Sequence, residues 1–213
     1  MKVIRHAAPW AQAAFHLMLY TGMRRSEVAA LYWSDVDMDA ETLRVVAAVD
    51  NIEAHADKHF RAPVKTARSN RVVQLGNKVV EVLREWKTQQ GREADILPWG
   101  LERHASPYVF PGEKGGLLHP DRLTYWWMRA AKEARVAARL HDLRHTHASL
   151  MLSIGVELPV ISARLGHSSV AVTGAVYSHM IAGRERAAVD KFDQLGARSG
   201  ILVAKTKNKG LRR

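Results

Sequence analysis

Residues 141–155 read HDLRHTHASLMLSIG, from His141 to Gly155, and the spacing inside this stretch decides how the chain folds. Leu143, His147, Leu150, Met151 and Ile154 recur at helical intervals, so a helix is expected that stops at Gly155. On the same 3.6-residue period His141, Arg144 and Ala148 share another side. The expectation is a helix that packs one face and points His141 and Arg144 together into a site. That pair suits a phosphate, because a guanidinium forks onto two oxygens and an imidazole gives or takes a proton. The plain alternative is a helix with incidental polar residues.

Outward from this helix the chain stays helical. Upstream, Pro120 opens a helix expected to reach about Arg135. Downstream, Pro159 opens a short one ending near Leu165-Gly166, a further helix leads up to Tyr177, and a last one covers 182–195. Near the start, Pro9 and Gly22 bracket a helix carrying Trp10, Ala14, Leu17 and Met18, followed by a short helix from about Arg25 to Leu31. Leu43-Arg44-Val45-Val46 and Arg71-Val72-Val73-Gln74-Leu75 are β-branched runs between turn residues and read as strands. Residues 50–70, polar and basic, read as a long hairpin or loop. Residues 78–90 read as a helix with Val79, Val82, Leu83 and Trp86 on one face. Residues 91–118 read as loop around Tyr108-Val109-Phe110. The expected class is α+β, mainly α with a small antiparallel β-sheet.

Composition narrows the function. Among 213 residues, 32 Lys and Arg against 21 Asp and Glu leave a net charge of +11, which points to a polyanionic partner, most simply nucleic acid. Without cysteine there is no disulfide framework and no thiolate zinc site. The first residues have no apolar core of signal-peptide length, and no apolar run reaches the roughly 18 residues a membrane helix needs.

Other residues that can carry chemistry are scattered. In Thr21-Gly22-Met23-Arg24-Arg25-Ser26-Glu27 an arginine follows a tight turn, with an acid three residues on. Lys65 lies in the basic turn Pro63-Val64-Lys65-Thr66-Ala67-Arg68-Ser69, and His167 sits at a helix junction in Leu165-Gly166-His167-Ser168-Ser169. Tyr177 stands in Val176-Tyr177-Ser178-His179. Each alone has a bland reading: a surface arginine, a solvated lysine, a structural histidine, a packing tyrosine. His141 and His145, four apart, have a spacing that can bind zinc. The residue after His141, however, is Asp142 rather than the glutamate of a metalloprotease helix, and Arg144 would repel a cation.

Taken together and in order, four stretches resemble the tyrosine recombinase (phage integrase) family. They are TGMRRSEVAALYWSDVD from Thr21, PVKTARSNRVVQL from Pro63, HDLRHTHASLMLSIG from His141 and LGHSSVAVTGAVYSH from Leu165. The resemblance spans about 20–180, and its HDLRHT and LGHSS wording is the most specific part. It implies a catalytic set of two arginines, Arg24 and Arg144, with Lys65, His141, His167 and the nucleophile Tyr177. Glu27 and Asp142 are implied as supporting acids, orienting Arg24 and the start of the His141 helix.

The implied reaction is a transesterification. The Tyr177 oxygen attacks a DNA phosphodiester, giving a 3′-phosphotyrosyl bond and a free 5′-hydroxyl, and a second 5′-hydroxyl then reseals the strand. The bond energy stays in the adduct, so neither ATP nor a metal cofactor is implied. Arg24 and Arg144 would meet the charge on the non-bridging oxygens, with His167 as a further donor. His141 would take the tyrosine proton, and Lys65 would protonate the leaving oxygen.

The expected organisation is a catalytic domain over 1–195 and a basic, flexible tail over 196–213, with the helical core-binding domain that family members carry ahead of the catalytic one absent here. Implied partners are double-stranded DNA and, on paired sites, a homotetramer, with a monomer in the free state. The implied location is cytoplasmic and nucleoid-associated. Arg122, Arg129, Lys132, Arg135 and Arg139 are candidate contacts to the DNA backbone, with a solvated face as the alternative. Other readings are a DNA-binding protein that no longer cuts, a topoisomerase of the same chemistry, and, more distantly, a zinc hydrolase using His141 and His145.

Overall fold

A computed structural model describes residues 1–51, 59–64, 66, 68–96, 105–167, 169–182, 189–191 and 194. Lys65, most of the 182–195 segment and the basic tail lie outside the described residues. The chain divides into two units, Met1–Thr173 and Gly174–Arg213.

The first unit is built on α1 (Pro9–Thr21). Pro9 stands in its first turn, where a missing N–H costs nothing, and Gly22 ends it at φ 69°. Ala11, Ala13, Ala14, Phe15, Leu17 and Met18 are all buried, so α1 is covered on most sides. Ahead of it a 3₁₀ turn, Ile4–His6, buries Ile4; its three residues are too short to show a period in the sequence. After Gly22 comes α2 (Arg25–Ala29), slightly shorter than expected.

The strand expectations hold, with register. β1 (Val36–Asp37), β2 (Thr42–Val45) and β5 (Arg71–Gln74) form an antiparallel sheet in the order β1-β2-β5. Leu43 pairs with Val73 and Val45 with Arg71. Within 50–70 the chain makes hairpin arms rather than plain loop. β3 (Ala47–Asn51) pairs antiparallel with β4 (His59–Pro63), Ala47 opposite Pro63.

Helices complete the first unit. α3 (Asn77–Ile96) buries Val79, Val80, Leu83 and Trp86. The Trp86 indole donates to the Val109 carbonyl at 2.7 Å and pins the loop that carries Phe110. α4 (Pro120–Glu133) buries Leu123 and Trp127. The Trp127 ring meets Phe15 edge-on at 5.0 Å, and its indole N–H reaches the Ala138 carbonyl at 2.8 Å. α5 (Asp142–Ser153) packs on α1, and α6 (Leu158–Leu165) ends at Gly166, φ 67°.

The α5 face differs from the expected one. Leu143, Arg144, His147, Ala148 and Leu152 are buried, while Leu150 and Ile154 are exposed at 56% and 76%. The packed stripe is thus rotated toward Arg144, because α5 buries a charged residue that finds backbone partners, as described below. α7 (Val170–Ala182) spans the division between the units, and rather than leading up to Tyr177 it runs past it. No helix among the described residues is long and apolar enough to cross a membrane.

Candidate active site

Gly22 and the α6 terminus create the setting. Both turns present backbone carbonyls where helices end, and such carbonyls need donors. Arg144, 4% exposed, supplies them from α5: one guanidinium nitrogen donates to the Gly22 carbonyl at 2.5 Å and the other to the Leu165 carbonyl at 2.8 Å. Arg24, at the foot of α2, donates to the next carbonyl, that of Gly166, at 3.4 Å. Two arginines 120 positions apart in sequence therefore address consecutive carbonyls of one turn, and His167 is the residue that follows.

Glu27 holds Arg24. Its carboxylate is 2% exposed and accepts four bonds. From Arg24 come the backbone N–H, at 2.9 Å, and the guanidinium, at 2.9 Å. From Arg71 on β5 come two more, at 3.1 and 2.9 Å. Burial alone would raise the Glu27 pKa, but the Arg71 and Arg24 bonds outweigh it and hold the carboxyl below its usual value.

His167 and His141 are both held toward neutrality. His167 is pushed down to about 4 by burial and then by the charges of Arg144, Arg24 and Arg71. Its Nδ1 lies 2.8 Å from the Thr173 hydroxyl, which fixes the ring. His141 caps α5 and meets His145 edge-on, ring centres 4.8 Å apart. Burial, His145 and Arg144 lower its pKa, so it is mostly unprotonated at pH 7 and able to accept a proton. Asp142 accepts the Arg139 backbone N–H at 2.8 Å and the Arg139 side chain at 3.2 Å, closing the turn that presents His141. That bond from the Arg139 amide is the main reason its pKa is lowered.

Arg24, His141 and Arg144 line one cavity of about 600 Å³, with Met23, Met128 and Leu140 forming apolar wall. Such a space offers convergent cations against a low-dielectric surface, where charge on a bound phosphate is met most strongly. So the first unit brings Arg24, His141, Arg144, Glu27 and Asp142 together with the His167 turn. Lys65 lies outside the described residues. Tyr177 sits within α7 in the second unit and is described there by itself.

Of the candidate backbone contacts, Arg122, Arg129 and Lys132 fall on the exposed side of α4. Arg122 pairs with Glu113 at 3.0 Å, and Arg129 lies 5.1 Å from the Trp126 ring centre. Arg135 ends the helix at φ 54°, and Arg139 is engaged with Asp142.

Two arginines of the site escape a reading of the sequence alone, Arg71 and Arg164. Arg164 donates to His147 Nε2 at 3.1 Å and to the carbonyls of Tyr20 and Gln74 at 3.0 and 2.9 Å. A signal for Arg71 was present: on an alternating strand it falls on the same face as Val73 and Leu75. A charge on the core face announces a buried acid elsewhere.

A tyrosine recombinase XerC-like protein of Caldanaerobacter subterraneus subsp. tengcongensis is 30% identical over 193 residues, which is 86% of this chain and 49% of the relative. The chain thus spans about half the length of that curated relative. The crystal structure of XerA recombinase superposes with a TM-score of 0.64 at 21% identity, over 91% of this chain and 61% of that one. The Tn1549 transposon integrase, solved in complex with circular intermediate DNA, gives a TM-score of 0.64 at 20% identity, over 85% of this chain and 59% of that one. The sequence pattern of the Phage integrase family matches residues 1–184, and with that match this chain belongs to the phage integrase family of tyrosine recombinases.

Proposed function

We propose that this chain is the catalytic part of a site-specific DNA recombinase, cutting and rejoining strands through Tyr177. The observation that carries the reading is the convergence of Arg24 and Arg144 on the consecutive carbonyls of Leu165 and Gly166, just before His167, while the same two arginines line a cavity with His141. Three cation or donor groups from distant parts of the chain would share one phosphate.

The chemistry balances without an added cofactor. The Tyr177 oxygen forms a bond to phosphorus as the bond to the 5′-oxygen breaks. The phenol proton passes to His141, and Lys65 gives a proton to the leaving 5′-oxygen. Arg24, Arg144 and His167 would hold the non-bridging oxygens, where charge accumulates. A phenol that ordinarily titrates at about pH 10 is a weak nucleophile at neutral pH, and cations brought to it in the DNA-bound state would favour its anion. Double-stranded DNA is the proposed substrate, engaged at its backbone by Arg122, Arg129, Lys132, Arg135 and Arg139, with a homotetramer on paired sites and a nucleoid location. The catalytic domain is proposed to extend to about residue 195, with the basic segment 196–213 as a tail.

The test uses a library of nicked duplexes in which the released 5′ fragment diffuses away and traps the adduct. Wild-type protein is expected to yield a covalent protein–DNA band on a denaturing gel, and Tyr177→Phe none. A band that persists in Tyr177→Phe would remove Tyr177 from its role.

A further inference from the structure

Arg71 makes contacts that no step of the proposed reaction calls for. It is 9% exposed and leaves β5 toward the interior. Its Nε donates to the Arg164 carbonyl at 2.7 Å, one nitrogen donates to the Ser69 carbonyl at 3.1 Å, and its fork holds both oxygens of Glu27. The guanidinium also lies close to Gly166, where a β-carbon would come within 2.8 Å of it. One side chain thereby ties three segments: the Arg24 turn through Glu27, the α6 terminus through Arg164 and Gly166, and the turn that leads into β5 through Ser69.

Charge gives this arrangement a consequence. Glu27 shares each carboxylate oxygen between Arg24 and Arg71. Without Arg71, Arg24 would be the one counter-charge left to this buried carboxylate among the described residues, and the pair would be neutral toward a phosphate. With Arg71 present the trio of Arg24, Glu27 and Arg71 keeps a net positive charge, and four bonds fix the carboxylate plane on which Arg24 rests.

We infer that Arg71 is a positioning residue for DNA cleavage: it satisfies Glu27 so that Arg24 stays oriented and electrostatically available to the substrate phosphate. The inference rests on the function proposed above, and its test separates the two.

Arg71→Lys keeps the charge, so Glu27 is not left unpaired, but removes the fork. Single-turnover cleavage is expected to fall about 100-fold, as for a slightly misplaced catalytic group, with DNA affinity changed less than about threefold. In an Arg24→Lys background the same change should cost less than about threefold, because the group it positions is already gone. The side-chain ¹⁵Nε resonance of Arg24, read in the free protein, should broaden or shift in Arg71→Lys. Should Arg71→Lys fail to fold, Arg71→Gln, which keeps a donor toward Glu27 on a shorter side chain, is expected to shift the same resonance. Additive losses in the double variant, or an unmoved Arg24 resonance, overturn the positioning role. Wild-type protein that forms no adduct overturns the proposed function instead, and the Arg24 resonance then decides the positioning by itself.

Discussion

Arg24 and Arg144 are expected to respond differently to the same substitution. The Arg144 side chain is buried and bonds the carbonyls of Gly22 and Leu165. Arg144→Lys therefore removes structural bonds as well as a phosphate fork, and both adduct yield and urea stability should fall. The Arg24 side chain is 39% exposed, and Lys there should cost about 100-fold in cleavage with little change in the urea midpoint. His147 allows a prediction about pH. Burial, then the Arg164 charge, pushes its pKa to about 4. Its Nε2 accepts from Arg164 and its Nδ1 faces the Leu19 carbonyl, so a proton added to Nε2 breaks a bond. Because the folded pKa lies below the unfolded value, this stability is present above about pH 6.5 and lost as pH falls toward 4. The shift corresponds to about 3 kcal/mol. Urea midpoints measured from pH 7 to 4.5 should drop in the wild type and drop less in His147→Gln, with His167, His141 and His16, all lowered by burial, contributing to the remaining slope.

Helix ends do much of the positioning. Gly22 closes α1 with φ 69°, and a β-carbon there would sit 2.5 Å from the Leu165 side chain and 2.9 Å from the His147 ring. Gly22→Ala adds left-handed strain to a steric clash and is expected to cost about 2 to 4 kcal/mol in urea unfolding. A loss below about 1 kcal/mol would mean that the α1 terminus is looser than this packing implies. The α5 helix teaches a related point. Counting apolar residues placed Leu150 and Ile154 inward, yet Arg144 and Ala148 face inward instead. Periodicity weighs side chains by polarity, whereas burial of Arg144 depends on carbonyls supplied by two other helix termini, which no local window contains.

The charge of +11 acts through the molecule as a whole. If it serves DNA, affinity should fall linearly on a log–log plot against salt, with a slope of about 0.9 for each phosphate contacted. Arg122 and Arg129 lie on one exposed stripe of α4, and α4 is tied to α2 by Arg25, which bonds Asp121 at 2.6 Å and Thr124 at 2.8 Å. Replacing both arginines with alanine should lower the slope by about 2 and weaken binding equally across sequences. An unchanged slope, measured by fluorescence anisotropy between about 50 and 200 mM salt, would return α4 to the role of a solvated face.

The amino-acid sequence by itself determined the class and much of the layout. Pro9, Pro120 and Pro159 mark helix starts and Gly22 and Gly166 mark ends, because local backbone preference acts within a few residues. Strands β2 and β5 were legible from their β-branched runs, and the candidate site residues were named from motif wording and order. What only the tertiary structure decided is which of those residues meet. That Arg24 and Arg144 address neighbouring carbonyls, that Glu27 is shared between two arginines, and that Arg71 and Arg164 belong to the network all depend on contacts across tens to more than a hundred positions. A buried charge is stable only where its partners arrive, and those partners are chosen by packing, which local sequence does not record.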